Sequence, residues 1–308
     1  MATHPLKQHF DYFFGCINPS KAWVDKAASI YSGVTRVLEG AGGRTAVLRP
    51  NLFLQGSYRR DTAIYTINDI DIVALCALWF PGEGTGNGWS RDEIFSALAA
   101  PFQANQLYSD KVRYGPTSLC IKLDLGIDVE ILPAVFKRGT HDPTVEPFCI
   151  YRPEEQKWVH AFAREHHSKL SAKNKATEGN LIPAIKTMKH IRSFHGLNTV
   201  SFHLESFLYA QSSRCFVGSP ADVFADLLAV IATLPAEQWW QSGITTPCGD
   251  RLLFSPSEWS LLSWTHFYRL VLQLAPIAGE AVRTADRATA VRLWQRVLGE
   301  AFFPTYQQ

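Results

Sequence analysis

The sequence predicts an α+β protein with a mixed α/β first half and an all-helical second half. Short apolar runs separated by turns occupy residues 46–136, and almost every segment after residue 153 has helical periodicity. The chain has 308 residues, of which 46% are hydrophobic, so it can bury a substantial core. We therefore expect two domains, residues 1–150 with N-terminal helices and residues 151–308 built from helices alone.

The N-terminal third is predicted to contain helices followed by a strand. Residues 5–40 are predicted to be helical, because apolar residues from Trp23 to Leu38 recur at spacings of three and four. Residues 46–55 are predicted to form a strand that Pro50 interrupts.

A second strand and a capped helix follow. The apolar run at residues 69–80 predicts a strand, and the glycine-rich stretch at 81–89 predicts a loop. Ser90 and Glu93 have the spacing of a capping box, which predicts that a helix begins there.

Three further short strands are predicted before the helical half. They are the segments KVRYG, SLCIKLDL and IDVEILPAVF, with a turn around Gly126 joining the last two. Pro133 is predicted to end the last strand.

Composition excludes several classes of protein. The net charge is +2 and the pI about 8.2, which is too balanced for a general binder of long nucleic acids. The six cysteines are scattered without a Cys-x-x-Cys pair, so a zinc ribbon or redox motif is not indicated. No signal peptide or membrane-spanning run is visible, so we expect a cytoplasmic protein without a membrane partner.

Two acidic pairs stand on predicted strands. Asp69 and Asp71 lie two residues apart, as do Asp128 and Glu130, so each pair projects from one side of its strand. Neighbouring carboxylates repel unless a cation or a proton lies between them, and Mg²⁺ prefers oxygen ligands. Acids that converge from two strands would suit a two-metal phosphoryl-transfer site. The alternatives are that Asp69 and Asp71 are exposed acids at a solvated strand end, and that Asp128 and Glu130 are the polar face of an amphipathic edge strand.

A Gly-Ser pair precedes the first acidic pair. Gly56 and Ser57 lie where the first predicted strand ends, and a small residue there lets phosphate oxygens approach backbone N–H groups. The serine hydroxyl would add a further donor. The order of a Gly-Ser pair, an Asp-x-Asp strand and a later acidic strand is more specific than any of these motifs alone.

These motifs resemble those of a known family. The segments QGSYRRDTAI, NDIDIV and VEILPAVF, with LIPAIKTMKHIRSFHG and SFHLE in the helical half, are similar to the cyclic GMP-AMP synthase/DncV-like nucleotidyltransferases of the polymerase-beta-like superfamily. The resemblance implies a nucleotidyltransferase core in residues 1–150, packed on a helical nucleotide-binding domain in residues 151–308. It also implies an active site in the cleft between them.

The resemblance assigns roles to individual residues. It implies that Asp69, Asp71 and Glu130 are catalytic ligands of two Mg²⁺ ions, for which Mn²⁺ is a substitute, with Asp128 left as a competing third ligand. It further implies a set of nucleotide-binding residues, namely Gln55, Gly56, Ser57, Lys186, Lys189 and Ser201. The alternative role for Ser201 is a helix N-cap, and the alternative for the lysines is a solvated helix face.

The function implied by the resemblance is synthesis of a cyclic di- or oligonucleotide second messenger. The substrates would be nucleoside triphosphates, ATP and in addition GTP, UTP or CTP, with release of pyrophosphate. The messenger would be sensed by a separate effector protein in bacterial antiphage defence. Alternatives are an acceptor-dependent nucleotidyltransferase that modifies an antibiotic, a protein or an RNA end, a linear oligonucleotide synthase, and a catalytically inactive nucleotide-binding protein.

Overall fold

The computed structural model describes residues 6–79, 88–115, 118–197 and 199–305. Within these ranges, the helices are α1 (Lys7–Ile17), α2 (Lys21–Glu39), α3 (Gly43–Leu48), α4 (Gly56–Arg59), α5 (Arg91–Gln103), α6 (Ala163–Ala176), α7 (Leu181–Phe194), α8 (Ser201–Ala210), α9 (Pro220–Ala232), α10 (Ala236–Trp240), α11 (Leu261–Arg283) and α12 (Arg287–Leu298), with a 3₁₀ helix at Ser213–Phe216. The strands are β1 (Asn51–Gln55), β2 (Asp69–Trp79), β3 (Val112–Arg113), β4 (Ile121–Asp124), β5 (Asp128–Phe136), β6 (Phe148–Arg152) and β7 (Lys157–Ala161). The predicted α+β class is confirmed.

The chain divides into two compact units, and the chain passes between them more than once. The sheet unit comprises Ser20–Arg59 and Ile67–Glu165, and the helical unit comprises the described residues of Met1–Pro19, Arg60–Thr66 and His166–Gln308.

All seven strands belong to one sheet in the sheet unit. The strand order is β1-β2-β5-β4-β3, and β6 pairs with both β5 and β7. β2 and β5 are parallel, whereas the other pairs in the described residues are antiparallel. β5 is therefore the centre of the sheet, because it pairs with β2 on one side and with β4 and then β6 on the other.

The two central strands are apolar on both faces for most of their length. On β2, Ile70 and Ile72 face one buried cluster, whereas Val73 and Leu75 face another. A strand that is buried on both faces has a continuous run of apolar residues in its sequence, and this run is what predicted the strand. The prediction of a strand at residues 69–80 is confirmed through Trp79, and residues 80–87, which include most of the predicted glycine loop, lie outside the described residues.

The prediction that Pro133 ends the last strand was wrong. Pro133 lies inside β5 and is in register with Ala74 of β2. On the other side of β5, β4 pairs up to Ile131 and β6 pairs from Ala134 onward. Pro133 thus falls between two partner strands, where a residue without an N–H is tolerated.

The N-terminal segments also differ from prediction. The predicted helix at 5–40 is two helices, because Pro19 lies between α1 and α2 and cannot continue a helix interior. The predicted strand at 46–55 is the end of helix α3 followed by strand β1, and Pro50 lies between them.

The predicted domain boundary at residue 150 does not match the division of the structure. The hairpin of β6 and β7 extends the sheet beyond that point, so the sheet unit continues to Glu165. Helix α1 belongs to the helical unit, where Phe10 packs edge-on against Trp294 with ring centroids 5.2 Å apart.

Aromatic side chains fill the core of the helical unit. Trp264 is fully buried, and its ring lies 4.9 Å from Trp259 and 5.1 Å from Phe207. Its indole N–H donates to the carbonyl of Ala236 at 2.9 Å, so the one polar atom of the ring is satisfied. In the described part of the chain, no helix combines the length and the apolar character needed to cross a bilayer.

The predicted capping box of α5 is present. The backbone N–H of Glu93 donates to the Ser90 hydroxyl, and the Glu93 carboxylate accepts from the Ser90 backbone N–H at 2.9 Å. This bond, together with Arg44, lowers the pKa of Glu93 to about 2.

Replacing the capping serine should therefore weaken the sheet unit. We expect Ser90→Ala to lower the free energy of unfolding by about 1 kcal/mol, measured by urea denaturation. Ser96→Ala, at an exposed position inside the same helix, is the control and should be neutral, because alanine is the better helix former. Equal losses in both variants would contradict the assignment of the cap.

Candidate active site

Four carboxylates lie on one face of the sheet in two side-by-side pairs. In the parallel pairing of β2 with β5, Asp69 is in register with Asp128 and Asp71 is in register with Glu130. Register partners on adjacent strands project from the same face and are separated by one inter-strand spacing, about 4.8 Å. The two acidic pairs predicted from sequence are therefore brought together.

Residues of the neighbouring strands stand in register with these two acidic pairs, so each pair is part of a row of side chains that crosses several strands. Gln55 of β1 is in register with Asp71, and Lys122 of β4 is in register with Glu130. Asp124 of β4 is in register with Asp128. One row is thus Asp69, Asp128 and Asp124, and the next is Gln55, Asp71, Glu130 and Lys122.

The rest of this face is apolar. The next row contains Phe53, Val73 and Leu132, which belong to a buried cluster. The carboxylates therefore stand at one end of the face, with an apolar surface behind them. Asp69 and Asp128 are exposed, whereas Asp71 and Glu130 are half-buried.

Gly56 allows the Asp71 carboxylate to lie against the backbone. The residue has a left-handed conformation, with φ of +72°, and a Cβ placed on it would lie 1.7 Å from Oδ2 of Asp71. Only glycine satisfies both constraints. Gly56 is the first residue of α4 and directly follows Gln55, which is in register with Asp71, so the Gly-Ser pair begins beside Asp71.

Glu130 is held by a lysine that the sequence analysis did not identify. Nζ of Lys122 lies 2.5 Å from Oε1 of Glu130, and this bond raises the pKa of Lys122. Burial and then the nearby Glu130 carboxylate raise the pKa of the Cys120 thiol to about 12. The thiol is therefore held in its neutral form beside the Glu130 carboxylate.

Asp128 accepts a longer hydrogen bond than Glu130, and its donor is a neutral amide. Nδ2 of Asn68 donates to its Oδ2 at 3.3 Å. Among the residues that the structure describes, no three His, Cys, Asp or Glu side chains are already arranged as a metal-binding group. The donor chemistry nevertheless fits a hard cation, since five carboxylates, Asp124 included, with one nearby lysine leave this end of the sheet strongly acidic.

In the helical unit, the predicted nucleotide-binding Lys189 is buried in an ion pair. Its Nζ lies 2.5 Å from Oε1 of Glu205 and donates to the carbonyl of Thr62 at 2.9 Å and to its hydroxyl at 3.2 Å. Lysine has three N–H donors, and these contacts use all of them. The predicted phosphate contact of Lys189 stays a prediction, and in the structure its ammonium bonds to Glu205 and Thr62.

Lys186 and Ser201 also make contacts within the helical unit. Nζ of Lys186 donates to Asp61 at 2.8 Å and to Asn18 at 3.0 Å. The Ser201 hydroxyl accepts from Arg192 at 3.0 Å, and Val200 rather than Ser201 is the N-cap of α8. The suggested N-cap role of Ser201 is therefore wrong, because its hydroxyl bonds to a side chain instead.

The two lysines of α7 are not a solvated helix face. Lys186 is 8% exposed and Lys189 1% exposed, because both bond to the segment 60–66. Sequence reasoning missed Glu205, the partner of Lys189. The available signal was an acidic residue inside the apolar helix SFHLESFLYA, where an unpaired charge would be costly.

Comparison with known proteins identifies the family. Residues 5–174 match the Second Messenger Oligonucleotide or Dinucleotide Synthetase domain, and this match covers more than half of the chain. The chain therefore belongs to that family. It is a nucleotidyltransferase of the cyclic-oligonucleotide-synthase type, as the resemblance of its motifs implied.

Relatives of known structure share the fold over most of their length. A cyclic UMP-AMP synthase from Rhodothermus marinus is 26% identical over 203 residues, covering 58% of this chain and 69% of the relative. The structure of Rhodothermus marinus CdnE c-UMP-AMP synthase with Apcpp and Upnpp aligns with a TM-score of 0.69 at 19% identity, covering 88% of this chain and 96% of the other. The structure of E. coli MS115-1 CdnC with ATP aligns with a TM-score of 0.70 at 14% identity, covering 97% and 98%. These structures confirm the predicted fold.

The contact between Gly56 and Asp71 yields a test with a matched control. We expect Gly56→Ala to lower nucleotide turnover by about 100-fold, because the added methyl group must displace the Asp71 carboxylate. The measurement is pyrophosphate release from nucleoside triphosphates.

Gly43→Ala is the control for backbone strain. Gly43 is also left-handed, with φ of +58°, but a Cβ there meets no atom within 4 Å. This variant should lose some stability and retain turnover. Similar turnover in both variants would show that the approach of Asp71 to Gly56 is unimportant.

Proposed function

We propose that the protein uses Asp69, Asp71 and Glu130 to hold two Mg²⁺ ions and converts nucleoside triphosphates into a cyclic di- or oligonucleotide. The observation that carries this proposal is the β2–β5 register, which pairs Asp69 with Asp128 and Asp71 with Glu130. Mn²⁺ should substitute for Mg²⁺, since both accept oxygen ligands.

The metal ions would supply activation of a ribose hydroxyl and neutralisation of charge on the triphosphate. The chain's own residues orient the substrate around them. Ser57 offers a hydroxyl and Gly56 a backbone without a side chain, so phosphate oxygens can come close to the main chain there. Gln55 supplies a side-chain amide in the same row as Asp71.

Lys186 remains the proposed lysine contact to phosphate. Within the described residues it uses two N–H donors on Asp61 and Asn18, and a lysine has a third. Its side chain is 11% exposed, compared with 2% for Lys189, so it is the more accessible of the two. Ser201 is proposed as an additional hydroxyl contact, because it is half-buried rather than enclosed.

Glu130 is proposed as the third ligand in preference to Asp128. Glu130 lies in the same row as Asp71 and Gln55 and is half-buried, whereas Asp128 is exposed. For Glu130 to bind a cation, its carboxylate must exchange Lys122 for the metal. A divalent metal ion is attracted more strongly than the Lys122 ammonium to a group of several carboxylates, because the metal ion carries twice the charge.

Paired variants separate the two possible third ligands. We expect Glu130→Gln to lower turnover by about 100-fold or more and to raise the Mg²⁺ concentration that gives half-maximal rate. Asp128→Asn should cost less than about 10-fold. A larger loss in Asp128→Asn than in Glu130→Gln would assign the third ligand to Asp128.

ATP and UTP are the first substrates to test. One relative is named a cyclic UMP-AMP synthase, and a similar structure is that of Rhodothermus marinus CdnE c-UMP-AMP synthase with Apcpp and Upnpp. A near-neutral chain suits small nucleotides better than a long polymer. We further propose that the messenger acts on a separate effector in antiphage defence.

Product analysis tests the reaction type. The protein is incubated with Mg²⁺ and each pair of the four nucleoside triphosphates, and products are treated with phosphatase and identified by mass spectrometry. We expect phosphatase-resistant cyclic products without any added acceptor. Linear products would indicate an oligonucleotide synthase, and turnover that requires an acceptor would overturn the proposal.

A further inference from the structure

A short stretch of chain lies between the Gly-Ser pair and the Asp-x-Asp strand, and it is anchored in the helical unit. This linker segment comprises residues 60–66. The side chains of its first three residues form hydrogen bonds or ion pairs with residues of α7 or α8. Nε of Arg60 lies 2.6 Å from Oε2 of Glu205, Asp61 accepts from Lys186 at 2.8 Å, and the Thr62 hydroxyl donates to Oε1 of Glu205 at 2.6 Å.

Further contacts fix the remainder of the segment. The carbonyl of Thr62 accepts from Lys189 at 2.9 Å, and the backbone N–H of Tyr65 donates to the carbonyl of Ile17 at 2.8 Å. Ala63 and Ile64 are buried at 5% and 4% exposure. The segment is therefore held by side chains, backbone and burial together.

Glu205 is the centre of these contacts. It is 2% exposed and faces two cations, Arg60 and Lys189, as well as the Thr62 hydroxyl. Burial alone would raise the pKa of Glu205, but Arg60, Lys189 and Thr62 lower it to about 2. These partners favour the charged carboxylate, and its removal would leave the buried Lys189 and the half-buried Arg60 without their counter-charge.

The position of the linker segment in the chain connects this cluster to the proposed chemistry. Only Tyr58 and Arg59 separate Ser57 from Arg60, and only Ile67 and Asn68 separate Thr66 from Asp69. Because each residue spans at most about 3.6 Å of extended chain, the two intervening residues leave little slack between the segment and Ser57 or Asp69.

We infer that Glu205 is a positioning residue: with Arg60, Thr62 and Lys189 it fixes the linker segment, and thereby the placement of Ser57 and Asp69. This inference rests on the proposed function of those two residues. It assigns Lys189 to the support of the catalytic chain segments rather than to the triphosphate.

The two roles of Lys189 make opposite predictions for a change at Glu205. If Lys189 binds phosphate directly, Glu205→Gln releases its ammonium and should leave nucleotide KM unchanged or lower. If Glu205 positions the linker segment, Glu205→Gln and Lys189→Met should both lower kcat by about 10- to 100-fold, with a smaller change in KM.

The experiment combines kinetics with hydrogen exchange on the full chain. Wild type, Glu205→Gln and Lys189→Met are compared for kcat and KM, and for amide exchange in peptides that cover residues 58–68. We expect faster exchange in this peptide in both variants, together with the loss of kcat. Exchange is measured without substrate, so it remains informative even if the wild type makes no cyclic product and the proposed function fails.

Leu228→Ala is the matched control for lost stability. Leu228 is fully buried in α9 and belongs to the core of the helical unit, whereas Glu205 bonds to Arg60, Thr62 and Lys189. This variant should lower the melting temperature but keep kcat and the exchange of residues 58–68 at wild-type values, at a temperature where it is folded. Unchanged exchange in Glu205→Gln, or a rise in KM alone in Lys189→Met, would overturn the inference.

Discussion

The parallel pairing of β2 with β5 is the interaction on which the candidate site depends. A strand places every second side chain on one face, so a single register decides which acids meet. Here Asp69 stands beside Asp128 and Asp71 beside Glu130, with the apolar residues of both strands on the opposite face or farther along. A slip of either strand by one residue would turn its two carboxylates into the core, so burial of Ile70 and Val129 helps to fix the site as well as the sheet.

The acidic face also depends on what surrounds it. Gly56 leaves room for Asp71, and Lys122 neutralises part of the charge near Glu130. Like-charged groups this close repel one another, so a neighbouring positive charge stabilises the arrangement. A site that is acidic, half-buried and partly neutralised by a displaceable lysine is well suited to accept a divalent cation together with a triphosphate.

Much of this could be predicted from sequence, because the informative residues were locally unusual. Acids inside apolar strands, and a Gly-Ser pair at a strand end, indicated the site and the family before the fold was known. Register could be predicted only in part: a turn centred on Gly126 implies that residues equidistant from it pair, which places Lys122 opposite Glu130, but this requires the turn length. The roles of Lys189 and Glu205 could not be predicted, since they depend on a contact between residues far apart in sequence and on the burial of both. The tolerance of Pro133 inside β5 likewise depends on where β4 ends and β6 begins.

Binding of a hard cation by the register-paired carboxylates, together with nucleotide, can be measured by electron paramagnetic resonance of Mn²⁺. Wild type and Asp71→Asn are titrated with Mn²⁺ in the presence of a non-hydrolysable ATP analogue, and the signal reports the free ion. We expect wild type to bind Mn²⁺ and Asp71→Asn, which keeps the shape of the side chain but not its charge, to bind it at least about 10-fold more weakly. Equal Mn²⁺ binding by the two proteins would contradict this expectation.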